Sequence, residues 1–163
     1  MPGGEGHSRQ KGTPDNTMKI AIASDHRGFE FKQKIAHLLS EAGHTVVDFG
    51  TDDGEKSVDY PDYGSKAARA VAKGECERAI LVCGTGIGMS LTANKIKGIR
   101  AAVGNDLYST EMSRRHNDSN VLCVGADLLP PGPLVKKILT VWLSTPFEGE
   151  RHTRRIKKIM ELE

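Results

Sequence analysis

The sequence predicts a three-layer α/β/α, Rossmann-like domain with a five-stranded parallel sheet and a C-terminal helix. Two observations carry that expectation. From Met18 onward, short apolar runs alternate with stretches of helical spacing, the pattern of successive βαβ units. Glycines gather after the third of these runs, and one follows the first, where the chain must turn sharply from strand to helix.

The elements follow in order. KIAIA (19–23) reads as the first strand, and Phe29 to Leu39 as a helix with apolar residues near helical spacing. HTVVDFG (44–50) is the second strand. The stretch Asp48–Pro61 is a long polar loop, a length that suggests function or mobility in a compact domain. A helix over Tyr63–Val71 leads to the third strand, AILVC (79–83), and a glycine-rich turn opens a helix over Met89–Ile96. IRAAVG (99–104) and NVLCVG (120–125) are strands four and five, separated by a helix through Tyr108–Arg115. Helices around Leu134–Leu143 and from Arg151 complete the chain, the last carrying Ile156, Ile159 and Met160 as an apolar stripe. Right-handed crossovers cover both faces of such a sheet. Residues 1–17 contain no Val, Ile, Leu or aromatic residue but four Gly and two Pro, and read as a disordered extension of a domain spanning 18–163.

Composition narrows the function classes. With 163 residues the chain supports one core, not two. Basic and acidic residues nearly balance, 23 against 21, so no global field favours nucleic acid or an anionic membrane. Cys76, Cys83 and Cys123 form no CxxC pair, which argues against a disulfide framework or a cysteine zinc site and suits a reducing cytoplasm. No apolar run approaches the roughly 20 residues of a membrane helix, and the N-terminus lacks a secretory apolar region.

Parallel sheets bind ligands beyond the C-terminal ends of their strands. Strand one is followed by Asp25, His26, Arg27 and Gly28; strand three by Cys83 and Gly84-Thr85-Gly86-Ile87-Gly88; strand five by Gly125-Ala126-Asp127. Read this way, the reactive side chains, His26 and His116 among them, crowd one edge of the sheet. The glycines remove Cβ atoms that would keep a ligand from the backbone, and the helix behind them offers unpaired N–H groups to an anion. Taken alone, that loop fits a ligand-free tight turn equally well. Cys83, at a strand end beside a helix start, sits where a thiolate is favoured; Cys76 and Cys123 read as small buried residues. His116 lies among Arg114, Arg115, Asn117 and Asp118, too polar a setting for a core histidine, and His26 follows Asp25 on the first loop, so either suits acid–base work. His37 and His44 read as structural. Arg151 and Arg155, four apart on one helix face, suit a phosphate, or equally a solvated basic face.

SDHRGF, SVDYPDY, ILVCGTGIGMSLTANK, GIRAA, SRRHNDSNVL and the tail WLSTPFEGERHTRR resemble, in this order, the ribose-5-phosphate isomerase B family, whose relatives act on galactose 6-phosphate and allose 6-phosphate. The resemblance runs from Met18 to the C-terminus. It implies an aldose–ketose isomerase for ribose 5-phosphate and ribulose 5-phosphate, working through a cis-enediolate without metal or cofactor. Cys83 would move the proton between C1 and C2. The backbone of Gly84, Gly86, Ile87 and Gly88, with the Thr85 hydroxyl, would hold the enediolate charge. His116 would open the furanose ring, with Asn117 on the sugar. Asp25 and His26 would bind substrate, Tyr60 would line the sugar site, and Arg151 and Arg155 would hold the phosphate. It also implies a homodimer or homotetramer whose sites are shared, His116 and Asn117 of one subunit facing Cys83 of another.

The chain departs from the resembled pattern where an arginine is expected two residues after Gly125 and Asp127 stands instead. A carboxylate near phosphate repels it. Arg27, where related sequences carry a small or apolar residue, is the candidate to compensate. Asp127 also keeps open a six-carbon sugar phosphate (allose or galactose 6-phosphate) or an unphosphorylated sugar. A non-catalytic sugar-phosphate binder fits the fold equally, but needs no nucleophile-grade thiol.

Overall fold

The computed structural model describes residues 16–163; the extension expected over 1–17 lies almost wholly outside the described residues. Its elements are β1 (Lys19–Ser24), α1 (Phe29–Glu41), β2 (Thr45–Asp48), α2 (Tyr60–Ala72), β3 (Arg78–Cys83), α3 (Ile87–Ala93), β4 (Ala101–Val103), α4 (Leu107–Asn117), β5 (Val121–Gly125), α5 (Pro133–Ser144) and α6 (Arg151–Met160). All strand pairings are parallel and the order is β2-β1-β3-β5-β4. The chain leaves β1 toward one side and β3 toward the other, so the loops after these two neighbours part and leave a crevice between them.

Alternation along the central strands builds two cores. Ala21, Ala23, Ala79, Leu81, Cys83, Val121 and Cys123 face α2 and α3. Ile20, Ile22, Ile80, Val82, Leu122 and Val124 face α1 and α5, where Ile35, Leu39, Ile138 and Trp142 meet them. The three central strands are buried on both faces, which is why they read as unbroken apolar runs.

Two elements differ from their sequence reading. α2 begins at Tyr60, earlier than expected, because Pro61 occupies its first turn, where a missing N–H costs nothing. β4 keeps only Ala101–Val103, and just before it the Arg100 N–H donates to the Asn120 side chain, Oδ1 at 2.8 Å, instead of to a neighbouring strand.

The long loop after β2 is pinned from beneath. Lys32 on α1 is fully buried, and its Nζ donates to Asp48 Oδ1 and Oδ2 at 2.7 and 2.9 Å and to the Thr51 carbonyl. Farther along, the Val58 N–H donates to His26 Nδ1 at 3.1 Å, tying the loop to the crevice. Among the described residues no helix is long and apolar enough to cross a membrane.

Candidate active site

Three loops converge where β1, β3 and β5 end. Their close approach demands glycine: a Cβ on Gly125 would lie 2.8 Å from Thr85 backbone atoms, and one on Gly28 would lie 2.7 Å from Val82 Cγ1. Ala126 N–H donates to the Cys83 carbonyl at 2.9 Å and Asp127 N–H to the Gly84 carbonyl at 3.0 Å, so the β5 loop runs on against the β3 loop. Asn105, just past β4, clamps both: its Nδ2 donates to the Thr85 carbonyl at 2.9 Å and its Oδ1 accepts the Gly125 N–H at 2.7 Å.

Cys83 ends β3 and is only 4% exposed. Gly86 takes the left-handed conformation (φ +84°), which turns its N–H onto Cys83 Sγ at 3.2 Å. A sulfur anion accepts such a bond more strongly than a neutral thiol. The Thr85 side chain is exposed, and its Oγ1 accepts the Ile87 N–H at 3.2 Å. Tyr60, at the start of α2, lies so close to Gly88 that a Cβ there would meet its ring at 2.6 Å. Asp25 is buried, its Oδ1 accepting the Gly28 N–H at 2.9 Å, and His26 beside it is half-buried. Thus Asp25, His26, Tyr60, Cys83, Thr85, Gly86, Ile87 and Gly88 surround one crevice, with Gly84 at its floor. The other two cysteines differ: burial pushes the Cys76 thiol up, and raises Cys123, in mid-strand, far higher.

His116 and Asn117 do not join this cluster. The expectation that His116 shares the edge of His26 is corrected by the course of α4. That helix starts beside Asn105, at the Cys83 edge, and ends at Asn117, whose carbonyl accepts from Arg100 Nε at 2.8 Å, where β4 begins. Its 11 residues span about 16 Å and deliver His116 to the opposite edge of the sheet.

There a second cluster forms. The His116 ring stacks on His152 of α6, centroids 4.2 Å apart and planes 12° apart. His152 is buried, a position the sequence reading passed over in favour of its arginine neighbours. Burial first, then the charges of His116 and Arg151, push its pKa down. Glu148 Oε2 lies 3.6 Å from His152 Nε2. Arg151 and Arg155, exposed on α6, belong to this group and not to that of Cys83. Ligand atoms of His116, Glu148 and His152 lie within 4.8 Å of one another. The two rings are nearly parallel, however, so their in-plane lone pairs run side by side instead of converging on one ion at the roughly 2.1 Å a metal requires.

One chain therefore carries two separate groups: a thiol in a glycine-rich cradle at one edge, and a histidine–arginine group at the other. Residues 20–159 match the family model described as Ribose/Galactose Isomerase. The chain is 46% identical over 145 residues to ribose-5-phosphate isomerase B of Escherichia coli (strain K12), covering 89% of this chain and 96% of that protein. It is 39% identical over 142 residues to the D-erythrulose-4-phosphate isomerase of Pectobacterium atrosepticum, covering 87% and 93%. Among solved structures, ribose-5-phosphate isomerase B of Clostridium thermocellum superposes with a TM-score of 0.86 at 50% identity, covering 89% of this chain and 97% of that one. With a parallel-sheet fold and a match along nearly the whole chain, the protein is a member of the ribose/galactose isomerase family of sugar-phosphate aldose–ketose isomerases.

Proposed function

We propose that the protein interconverts ribose 5-phosphate and ribulose 5-phosphate, at sites each built from two copies of the chain. The observation that carries the reading is the Gly86 N–H on Cys83 Sγ within a cradle of glycines. Cys83, as thiolate, takes the C2 proton of the open-chain aldose. The electrons move into a cis-enediolate, and the same proton returns at C1 while the hydroxyl proton passes from O2 to O1. Proton and electron counts balance without an oxidant or a metal. Charge developing on the enediolate oxygens is met by loop amides of Gly84 to Gly88 and by the Thr85 hydroxyl, donors fixed before the reaction begins. Asp25, His26 and Tyr60 bind the sugar. His116 of the second copy opens the furanose ring, Asn117 contacts the sugar, and Arg151 and Arg155 bind phosphate. The distance-spanning course of α4 supports sharing, because a single copy keeps Cys83 and His116 at opposite sheet edges. Three buried free thiols suit a cytoplasmic setting.

A sugar phosphate of another length is the second reading, favoured by the relative named for erythrulose 4-phosphate and by Asp127 at the crevice. The deciding experiment assays ribose 5-phosphate beside allose, galactose and erythrulose phosphates; the highest kcat/KM for ribose 5-phosphate is expected, and a higher value for another sugar would replace it. Sharing is tested by mixing inactive Cys83→Ala and His116→Ala proteins. Recovered activity is expected, and none in a mixture proven to contain hetero-oligomers rules sharing out.

A further inference from the structure

Arg27 and Asp127, 100 residues apart in sequence, meet over Gly84. Arg27 Nη2 donates to Asp127 Oδ2 at 2.5 Å. That same oxygen lies 2.9 Å from where a Cβ on Gly84 would stand, and Arg27 Cζ lies 3.9 Å from it. The pair thus caps the first residue of the loop that cradles Cys83. Both partners rise from rigid backbone: Gly28, next to Arg27, is pressed on Val82 and held by Asp25 Oδ1, and Asp127 donates its own N–H to Gly84.

Stability does not account for this pair. Its side chains are 61% and 44% exposed, and exposed pairs contribute roughly 0–1 kcal/mol. Charge does. An unpaired carboxylate at the lip of a loop built for anions opposes any phosphate that enters. Paired, Asp127 is neutralised and becomes an anchor that orients a guanidinium over the same crevice. The bond to Asp127 uses one nitrogen of the fork, and the remaining donors of Arg27 meet no acceptor among the described residues.

We propose that Arg27 is a substrate-binding residue, its guanidinium taking the phosphate of the sugar bound beside Cys83, with Asp127 as its positioning residue. This rests on the sugar-phosphate reading above. Planar N–H pairs suit phosphate oxygens, and a guanidinium held in place beforehand loses little freedom when it binds. A phosphate so held is gripped from the Cys83 side by Arg27 and from the partner side by Arg151 and Arg155.

The test measures steady-state kinetics with ribose 5-phosphate, and competitive inhibition by inorganic phosphate, for wild type, Arg27→Ala, Arg27→Gln and Asp127→Asn. Arg27→Ala is expected to raise KM roughly tenfold or more and weaken phosphate inhibition in parallel, with kcat within about threefold. Asp127→Asn, which frees the guanidinium without removing it, is expected to give a smaller rise of the same kind. Arg27→Gln serves if the alanine variant fails to fold, and the melting temperature separates folding from binding. KM and phosphate inhibition both unchanged in an active, folded Arg27 variant would overturn the proposal, as would a loss confined to kcat. A wild type inactive on every sugar phosphate tried would instead fault the underlying reading.

Discussion

The imidazoles of His116 and His152 lie nearly parallel at 4.2 Å, and this contact joins the end of α4 to α6. His152 is buried with its pKa pushed down by that burial, and its flat ring walls one side of His116. His152→Ala is expected to lower kcat/KM roughly tenfold by letting His116 wander, whereas His152→Phe, still flat, keeps most of it. Equal losses in both variants, read by steady-state kinetics, would mean the stack is not what positions His116.

Cys83→Ala is expected to lower kcat by about 1,000-fold or more, since it removes the proposed proton carrier, while calorimetric binding of ribose 5-phosphate changes by less than about threefold. Lost binding with turnover per bound substrate preserved would deny Cys83 the role of base.

Asn105→Ala strips partners from the Thr85 carbonyl and the Gly125 N–H together. A part-buried group left unpaired costs about 1–3 kcal/mol, and urea unfolding is expected to register a loss of that size. Activity falls as well, because the clamp holds the Cys83 cradle against β5. An unfolding midpoint equal to wild type would remove Asn105 from the framework of the site.

Stability is expected to decline as the solution is acidified below pH 6.5. Burial, and then the Arg78 charge, lower the His44 pKa, and His152 is lowered as well. His44 Nδ1 accepts the Met18 N–H at 3.0 Å, a bond only an unprotonated Nδ1 makes. The unfolded chain binds these protons near 6.5, the folded one only at lower pH, so the contribution is complete above 6.5 and drains away as pH falls toward the folded values. Chemical denaturation at pH 7.5 and 5.5 measures it, and His44→Gln should flatten part of the slope. Identical unfolding free energies at the two pH values would contradict it.

Much of this architecture is legible in the residues. Central strands buried on both faces betray themselves as runs such as AILVC, and glycines at 84, 86 and 88 mark a backbone that must be approached closely. Cys83 stands out because a strand end and a helix start meet at it. The place of His116 is not legible from strand ends, because it stands at the far end of a helix, and the roughly 16 Å of α4 carries it to the opposite edge. Arg27 and Asp127 are linked in sequence only through the resemblance, as a compensation; that they touch, and that His152 is buried amid a basic stretch, are relations that arise only when distant loops and helices pack.

The two cores differ in the mutational damage they tolerate. Beneath α2 and α3 the packing is largely alanine, with Ala21, Ala23, Ala67, Ala68, Ala79 and Ala93 all fully buried. Across the sheet it is isoleucine, leucine, valine and Trp142. The second face loses stability when a side chain is truncated and a cavity opens. The first has almost no side chain to lose, and suffers instead from added volume, which has nowhere to go but outward through α2 and α3. Those are the helices that carry Tyr60 and back the Cys83 cradle. A single methyl group gained far from the crevice would therefore be felt as a change of catalytic geometry before it was felt as a loss of fold.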